Sequence, residues 1–129
     1  MLEAHASQQD KTGQPYALHP IRVMGRVRSE HERMAALLHD VVEDSEWTLE
    51  RLREEGFPTP VLEAVELVTR RESDSYEEFV ARCAAHPVAR AVKLADLLDN
   101  MDLTRLQELD DRAVERLRRY LKAYRFLTA

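Results

Sequence analysis

The chain has 129 residues, of which 44% are apolar and 33% charged, with three glycines and a net charge of −5. That length supports one domain with a true core and is too short for two ordinary ones, so residues 1–129 are read as a single domain. The acidic balance excludes a general nucleic-acid or anionic-membrane binder, which needs a basic surface, yet leaves room for a small anionic substrate if a metal and local cations offset the charge.

Met1 to Lys11 holds no apolar run of signal-peptide length, and no segment approaches the roughly 18 apolar residues of a membrane span. A cytoplasmic protein without a membrane partner is the expectation. Between Lys11 and Pro20, Gly13, Pro15 and Pro20 break any helix. Helices follow one another from there. Ser29 and Glu32 form a capping-box pattern that opens a helix from about Glu30 to Glu43.

Within that helix the segment His39-Asp40-Val41-Val42-Glu43-Asp44 gathers an imidazole and three carboxylates. With His39 at zero and about 100° per residue, Glu43 falls near 40°, Asp40 near 100° and Asp44 near 140°, while Met34, Leu37, Leu38, Val41 and Val42 fill the opposite face. One reading is the solvated face of an amphipathic helix. The other is a site. No lysine or arginine stands among these residues to relieve the repulsion of the carboxylates, and a divalent cation would. Imidazole and carboxylate suit manganese, zinc, iron or related ions. His39 and Asp40 could reach one ion, while Glu43 and Asp44, one turn on, could orient or deprotonate a water.

Further along, Thr48 caps a short helix that ends before Gly56, and Thr59-Pro60 reads as N-cap and first residue of a helix to about Arg70. Ser75 and Glu78 repeat the capping box. The helix they open carries Cys83, the only cysteine, in the apolar stretch Phe79 to Ala84. A lone cysteine excludes an internal disulfide and a cysteine-rich zinc module, and is read here as a small packing residue.

Pro87 starts a helix to about Met101 that is apolar almost all round and is therefore expected to be buried. Its one polar stripe holds Lys93, Asp96 and Asn100. A carboxylate there is costly unless paired, hydrogen-bonded or metal-bound. Either Lys93 and Asp96 form a salt bridge that caps the core, or Asp96 supplies a metal ligand. From Asp110 onward Val114, Leu117, Leu121 and Tyr124 mark a last amphipathic helix. The fold class is all-α, a compact helical bundle. His5, His31 and His86 lack comparable partners and read as surface or packing residues; His19, just before Pro20, would on its own read as structural.

The ordered segments AHASQQDKTGQPYALHP, LLHDVVEDSEWT and VKLADLLDNM resemble the hydrolase domain of RelA/SpoT-type proteins, above all the small alarmone hydrolases, over about Ala4 to Leu106. The resemblance implies an HD-domain helical bundle and a manganese ion ligated by His19, His39, Asp40 and Asp96. It implies loss of the 3′-pyrophosphate from guanosine tetra- or pentaphosphate, giving GDP or GTP and pyrophosphate, as in the stringent response. Glu43 and Asp44 match the acidic pair that handles the attacking water, Lys11 a substrate-contacting lysine, and Asn100 a polar residue near ribose and phosphates. Lys11, Lys93 and Arg105 are the cations expected to offset charge on the diphosphate. Two departures bear on the substrate: Asp10 and Leu97 stand where the long bifunctional relatives carry arginines, the first of which packs on guanine. An HD phosphohydrolase acting on another nucleotide, a nucleoside phosphate or a phosphorylated nicotinamide dinucleotide, is the alternative. A metal-stabilised binding module is a third reading, against which Glu43 and Asp44 weigh.

Overall fold

The computed structural model describes residues 18–39 and 41–129, with backbone only for Leu18, Glu43 and Asp44. The order of elements is α1 (Leu18–Gly25), α2 (Glu30–Leu38), α3 (Val41–Asp44), α4 (Leu49–Glu54), α5 (Thr59–Val68), α6 (Tyr76–Ala84), α7 (Pro87–Asn100), a 3₁₀ turn (Leu103–Arg105) and α8 (Asp111–Thr128). No strand occurs among the described residues, and the all-helical expectation holds. No helix among them is long and apolar enough to cross a membrane.

The helix starts follow the local chemistry. Ser29 accepts a hydrogen bond from the Glu32 amide at 3.1 Å, and the Glu32 carboxylate accepts from the Ser29 amide at 3.3 Å, closing the capping box. Thr48, Ser75 and Asp110 each cap the helix that follows. His86 caps α7, its Nδ1 accepting from the Ala89 amide at 3.3 Å. Two boundaries differ from the sequence reading. Helix α1 already includes Pro20, whose missing N–H costs nothing in a first turn. Helix α5 includes Thr59, with Pro58 in the N-cap place.

A third difference matters more. The single helix expected over Glu30–Glu43 ends at Leu38 and resumes at Val41. The break falls at His39, whose backbone angles are still helical and whose Nδ1–H donates to the Ala36 carbonyl at 2.5 Å; Asp40, which follows, lies outside the described residues.

Helix α7 is the hub. It packs against α1, α2, α5 and α6 on one side and α8 on the other. Val23, Leu38, Val61, Val65, Phe79 and Val92 belong to the larger core, and Val80, Leu97, Tyr120, Ala123 and Leu127 to a second one under α8. Being covered on both sides, α7 buries Lys93, Asp96 and Asp99, and their charges must be resolved inside the protein. That requirement builds the site.

Candidate metal centre

Three segments meet at the buried polar stripe of α7. His19 enters from the first turn of α1, His39 from the break after α2, and Asp96 from α7, all with less than a tenth of their surface exposed. His19 Nε2 lies 2.9 Å from Asp96 Oδ1, and His39 Nε2 lies 3.3 Å from that same oxygen. The two Nε2 atoms face each other at 3.3 Å, the rings tilted by 60°.

Each ring also makes a hydrogen bond on its far side. His39 Nδ1 faces the Ala36 carbonyl and His19 Nδ1 faces a carboxylate oxygen of Asp99 at 2.6 Å. Both partners can only accept, as can the Asp96 oxygen that faces Nε2 of His19; with each proton on Nδ1, where the shorter contacts lie, each neutral imidazole presents a lone pair on Nε2. Two lone pairs and a carboxylate oxygen then converge with no proton among the three. This donor set fits a divalent metal ion, and the three ligand atoms lie within 4.8 Å of one another.

A second proton on His19 is the other way to hold the group together. Burial works against it, but the hydrogen bonds to Asp96 and Asp99 prevail and raise His19 above the ordinary histidine pKa. Asp96 stays ionised. Burial opposes its charge, yet Lys93 and the two imidazoles hold it well below the usual carboxylate range.

Of the carboxylates expected from sequence, Asp96 is the one described beside the two imidazoles. Lys93 Nζ donates to Asp96 Oδ2 at 3.0 Å and Asn100 Nδ2 donates to Asp96 Oδ1 at 3.3 Å. Of the two α7 alternatives, the Lys93–Asp96 salt bridge is present on one oxygen, while the other oxygen faces the two imidazoles. Lys93 is buried beside the faces of Phe79 and Tyr76, with its pKa pushed up because the ion pair with Asp96 outweighs burial. Its place is that of a counter-ion. Arg105 donates from Nη2 to the Asp99 carbonyl at 2.6 Å and lies 3.4 Å from Asp99 Oδ2. Asp40 and Lys11, and the side chains of Glu43 and Asp44, lie outside the described residues; the backbone of Glu43 and Asp44 forms the end of α3, one turn beyond His39.

Leu97 is fully buried in the core under α8 and so cannot touch a nucleotide. Its replacement of an arginine leaves the ligand side of α7 unchanged. Asp10, the other departure, lies outside the described residues. The residue that the sequence reading passed over is Asp99, which is wholly buried and partnered by His19, Arg22 and Arg105.

The chain is similar to known proteins in sequence and fold. The HD domain family matches residues 8–101. A guanosine-3′,5′-bis(diphosphate) 3′-pyrophosphohydrolase of Aquifex aeolicus is 35% identical over 111 residues, covering 77% of this chain and 16% of the relative. The bifunctional (p)ppGpp synthase/hydrolase SpoT of Escherichia coli K12 is 30% identical over 114 residues, covering 77% and 16%. The chain thus spans about a sixth of the length of these curated relatives. A solved structure described as a metazoan ortholog of SpoT that hydrolyses ppGpp and plays a role in starvation responses matches with a TM-score of 0.78 at 29% identity, over 98% of this chain and 79% of that one.

Proposed function

The chain belongs to the HD domain family, and from that premise we propose that it is a metal-dependent phosphohydrolase removing the 3′-pyrophosphate of guanosine tetra- or pentaphosphate. The observation that carries this is the convergence of His19 Nε2, His39 Nε2 and Asp96 Oδ1, three buried atoms brought together by α1, the end of α2 and α7. Relatives whose names specify this hydrolysis support the choice of substrate.

His19, His39 and Asp96, with Asp40, would hold the ion, and manganese is the metal proposed. A divalent ion so held supplies Lewis acidity, lowering the pKa of a water towards neutrality and offsetting charge on a phosphate oxygen. The rest is the work of the chain. Glu43 or Asp44 orients the attacking water and takes its proton. The water oxygen forms a bond to the phosphorus that bears the ribose 3′ oxygen. The bond from that phosphorus to the 3′ oxygen breaks, and the oxygen leaves as a hydroxyl with the proton that the carboxylate took from the water. The products are GDP or GTP and pyrophosphate. Lys11 and Asn100 are proposed to contact the substrate. Lys93 acts on Asp96 rather than on the diphosphate, and Arg105 acts on Asp99. The protein works in the cytoplasm on a small nucleotide.

The experiment is a turnover screen of purified protein with manganese against a nucleotide panel, with pyrophosphate release as the readout. Guanosine tetraphosphate should give GDP and pyrophosphate. Rapid hydrolysis of another nucleotide with none of this one would discard the alarmone reading and leave a general HD phosphohydrolase.

A further inference from the structure

The His19 imidazole lies between two carboxylates of one helix. Its Nε2 is 2.9 Å from Asp96 Oδ1 and its Nδ1 is 2.6 Å from Asp99 Oδ2. Residues three apart on a helix share a face, about 5–6 Å between Cβ atoms, which is the spacing that lets one imidazole reach both. The two carboxylates are not equivalent. Asp96 faces the nitrogen that meets His39, whereas Asp99 sits behind the ring.

Asp99 is itself held. Arg22 Nε of α1 donates to Oδ1 at 2.7 Å, and Arg105 Nη2 approaches Oδ2 and also donates to the backbone carbonyl. Two guanidiniums from either side of the sequence thus keep both oxygens of a wholly buried carboxylate away from the ligand atoms. A metal-bound histidine gains a fixed tautomer, ring orientation and basicity from such a partner on its other nitrogen.

The geometry assigns Asp99 the role of positioning residue for the metal centre: it locks His19 in the Nδ1–H tautomer and aims Nε2 at the ion, while Arg22 and Arg105 keep Asp99 itself out of the ligand shell. This rests on the metal reading of the His19, His39 and Asp96 group. It makes α7 the source of both a ligand and the support of another ligand.

The asparagine variant discriminates. In Asp99→Asn the charged Arg22 claims the one remaining oxygen, which turns the amide NH₂ towards His19. The amide then donates to Nδ1 and leaves the proton on Nε2, where it blocks ligation. Nitrogen-15 spectra of the histidine side chains report the tautomer in metal-free protein at a pH above the raised His19 pKa, where the ring is neutral, and competition with a chelating dye reports manganese affinity. The parent should show Nδ1–H for His19, and Asp99→Asn should show Nε2–H with affinity lowered about ten- to hundredfold. Arg22→Met serves as the control for simple destabilisation, since it should retain the Nδ1–H tautomer.

The proposal is overturned if Asp99→Asn keeps both the parent tautomer and the parent affinity, or if both variants lose affinity equally with the tautomer unchanged. It is also overturned, without any variant, if His19 of the metal-free parent carries its proton on Nε2. A parent that binds no manganese overturns the metal reading and the assignment with it; the tautomer measurement then still shows whether Asp99 holds the ring.

Discussion

Lys93 Nζ and Asp96 Oδ2 lie 3.0 Å apart in a pair whose two side chains are both about nine-tenths buried, so the carboxylate proposed as a ligand brings its own counter-ion along α7. The lysine neutralises one oxygen and leaves the other to the two imidazoles. Removing one member of a buried pair leaves the other charge uncompensated, at a cost of about 3–5 kcal/mol. Lys93→Met should therefore lower the stability of metal-free protein by that order in urea unfolding. It should also raise the pKa of Asp96. If the variant were as stable as the parent and only KM rose, Lys93 would be a substrate contact and not a counter-ion.

Chelation gives a second expectation. His19, His39 and Asp96 come from three separate segments, so an ion shared among them ties α1, α2 and α7 together. An ion that binds only the folded state stabilises by about 2.7 kcal/mol at about a hundredfold excess over Kd. Calorimetry should show Tm falling on treatment with a chelator and recovering with manganese. Unchanged Tm and full turnover in protein shown metal-free by elemental analysis would falsify the metal centre.

What the sequence disclosed about this centre has a physical limit. Asp96 stands out because a carboxylate on an otherwise apolar helix needs a partner, His39 because it gathers with three carboxylates and no cation, and His19 is added by the resemblance of its segment. Asp99 was passed over because, with Asp96 at zero, it falls at roughly 300°, inside the sector assigned to apolar side chains. An aspartate in that sector was itself the available signal. Its partners Arg22 and Arg105 are 77 and 6 residues away, so pairing them needed the fold. The break at His39 was hidden for a similar reason. Propensity and periodicity favour a continuous helix across that segment, and only the fold shows it ending at Leu38 and resuming at Val41.

Cys83 offers a check on the packing of α6 that does not involve the centre's chemistry. It is wholly buried, donates to the Leu67 carbonyl at 3.3 Å, and has its thiol pushed up to about 11, chiefly by burial. A pKa raised in the folded state means that the native protein binds more protons than the unfolded chain between the two values. Its contribution to stability is thus complete below about pH 9 and is lost as pH rises towards about 11. Alkylation by a thiol reagent near neutral pH should be slow and limited by opening, and should speed up in urea in step with unfolding. Rapid labelling of native protein would contradict the packing of α6 on α5.

The last expectation separates holding the ion from handling the water. Asp40 is proposed as a ligand and Glu43 as a group that acts on the attacking water, and Glu43 stands on α3 one helical turn beyond His39. Asp40→Asn removes a charged ligand, so it should lose manganese and turnover together. Glu43→Gln keeps the side chain's shape but neither orients the water as a charged acceptor nor takes its proton. It should retain manganese near parent affinity while kcat falls, by about 10²–10⁴ if it is the general base. KM should move little, because the loss is of an interaction made in the transition state. Elemental analysis and steady-state kinetics on the same preparations decide the matter. If Glu43→Gln loses its metal, Glu43 is a ligand; if it turns over at the parent rate, the water belongs to Asp44.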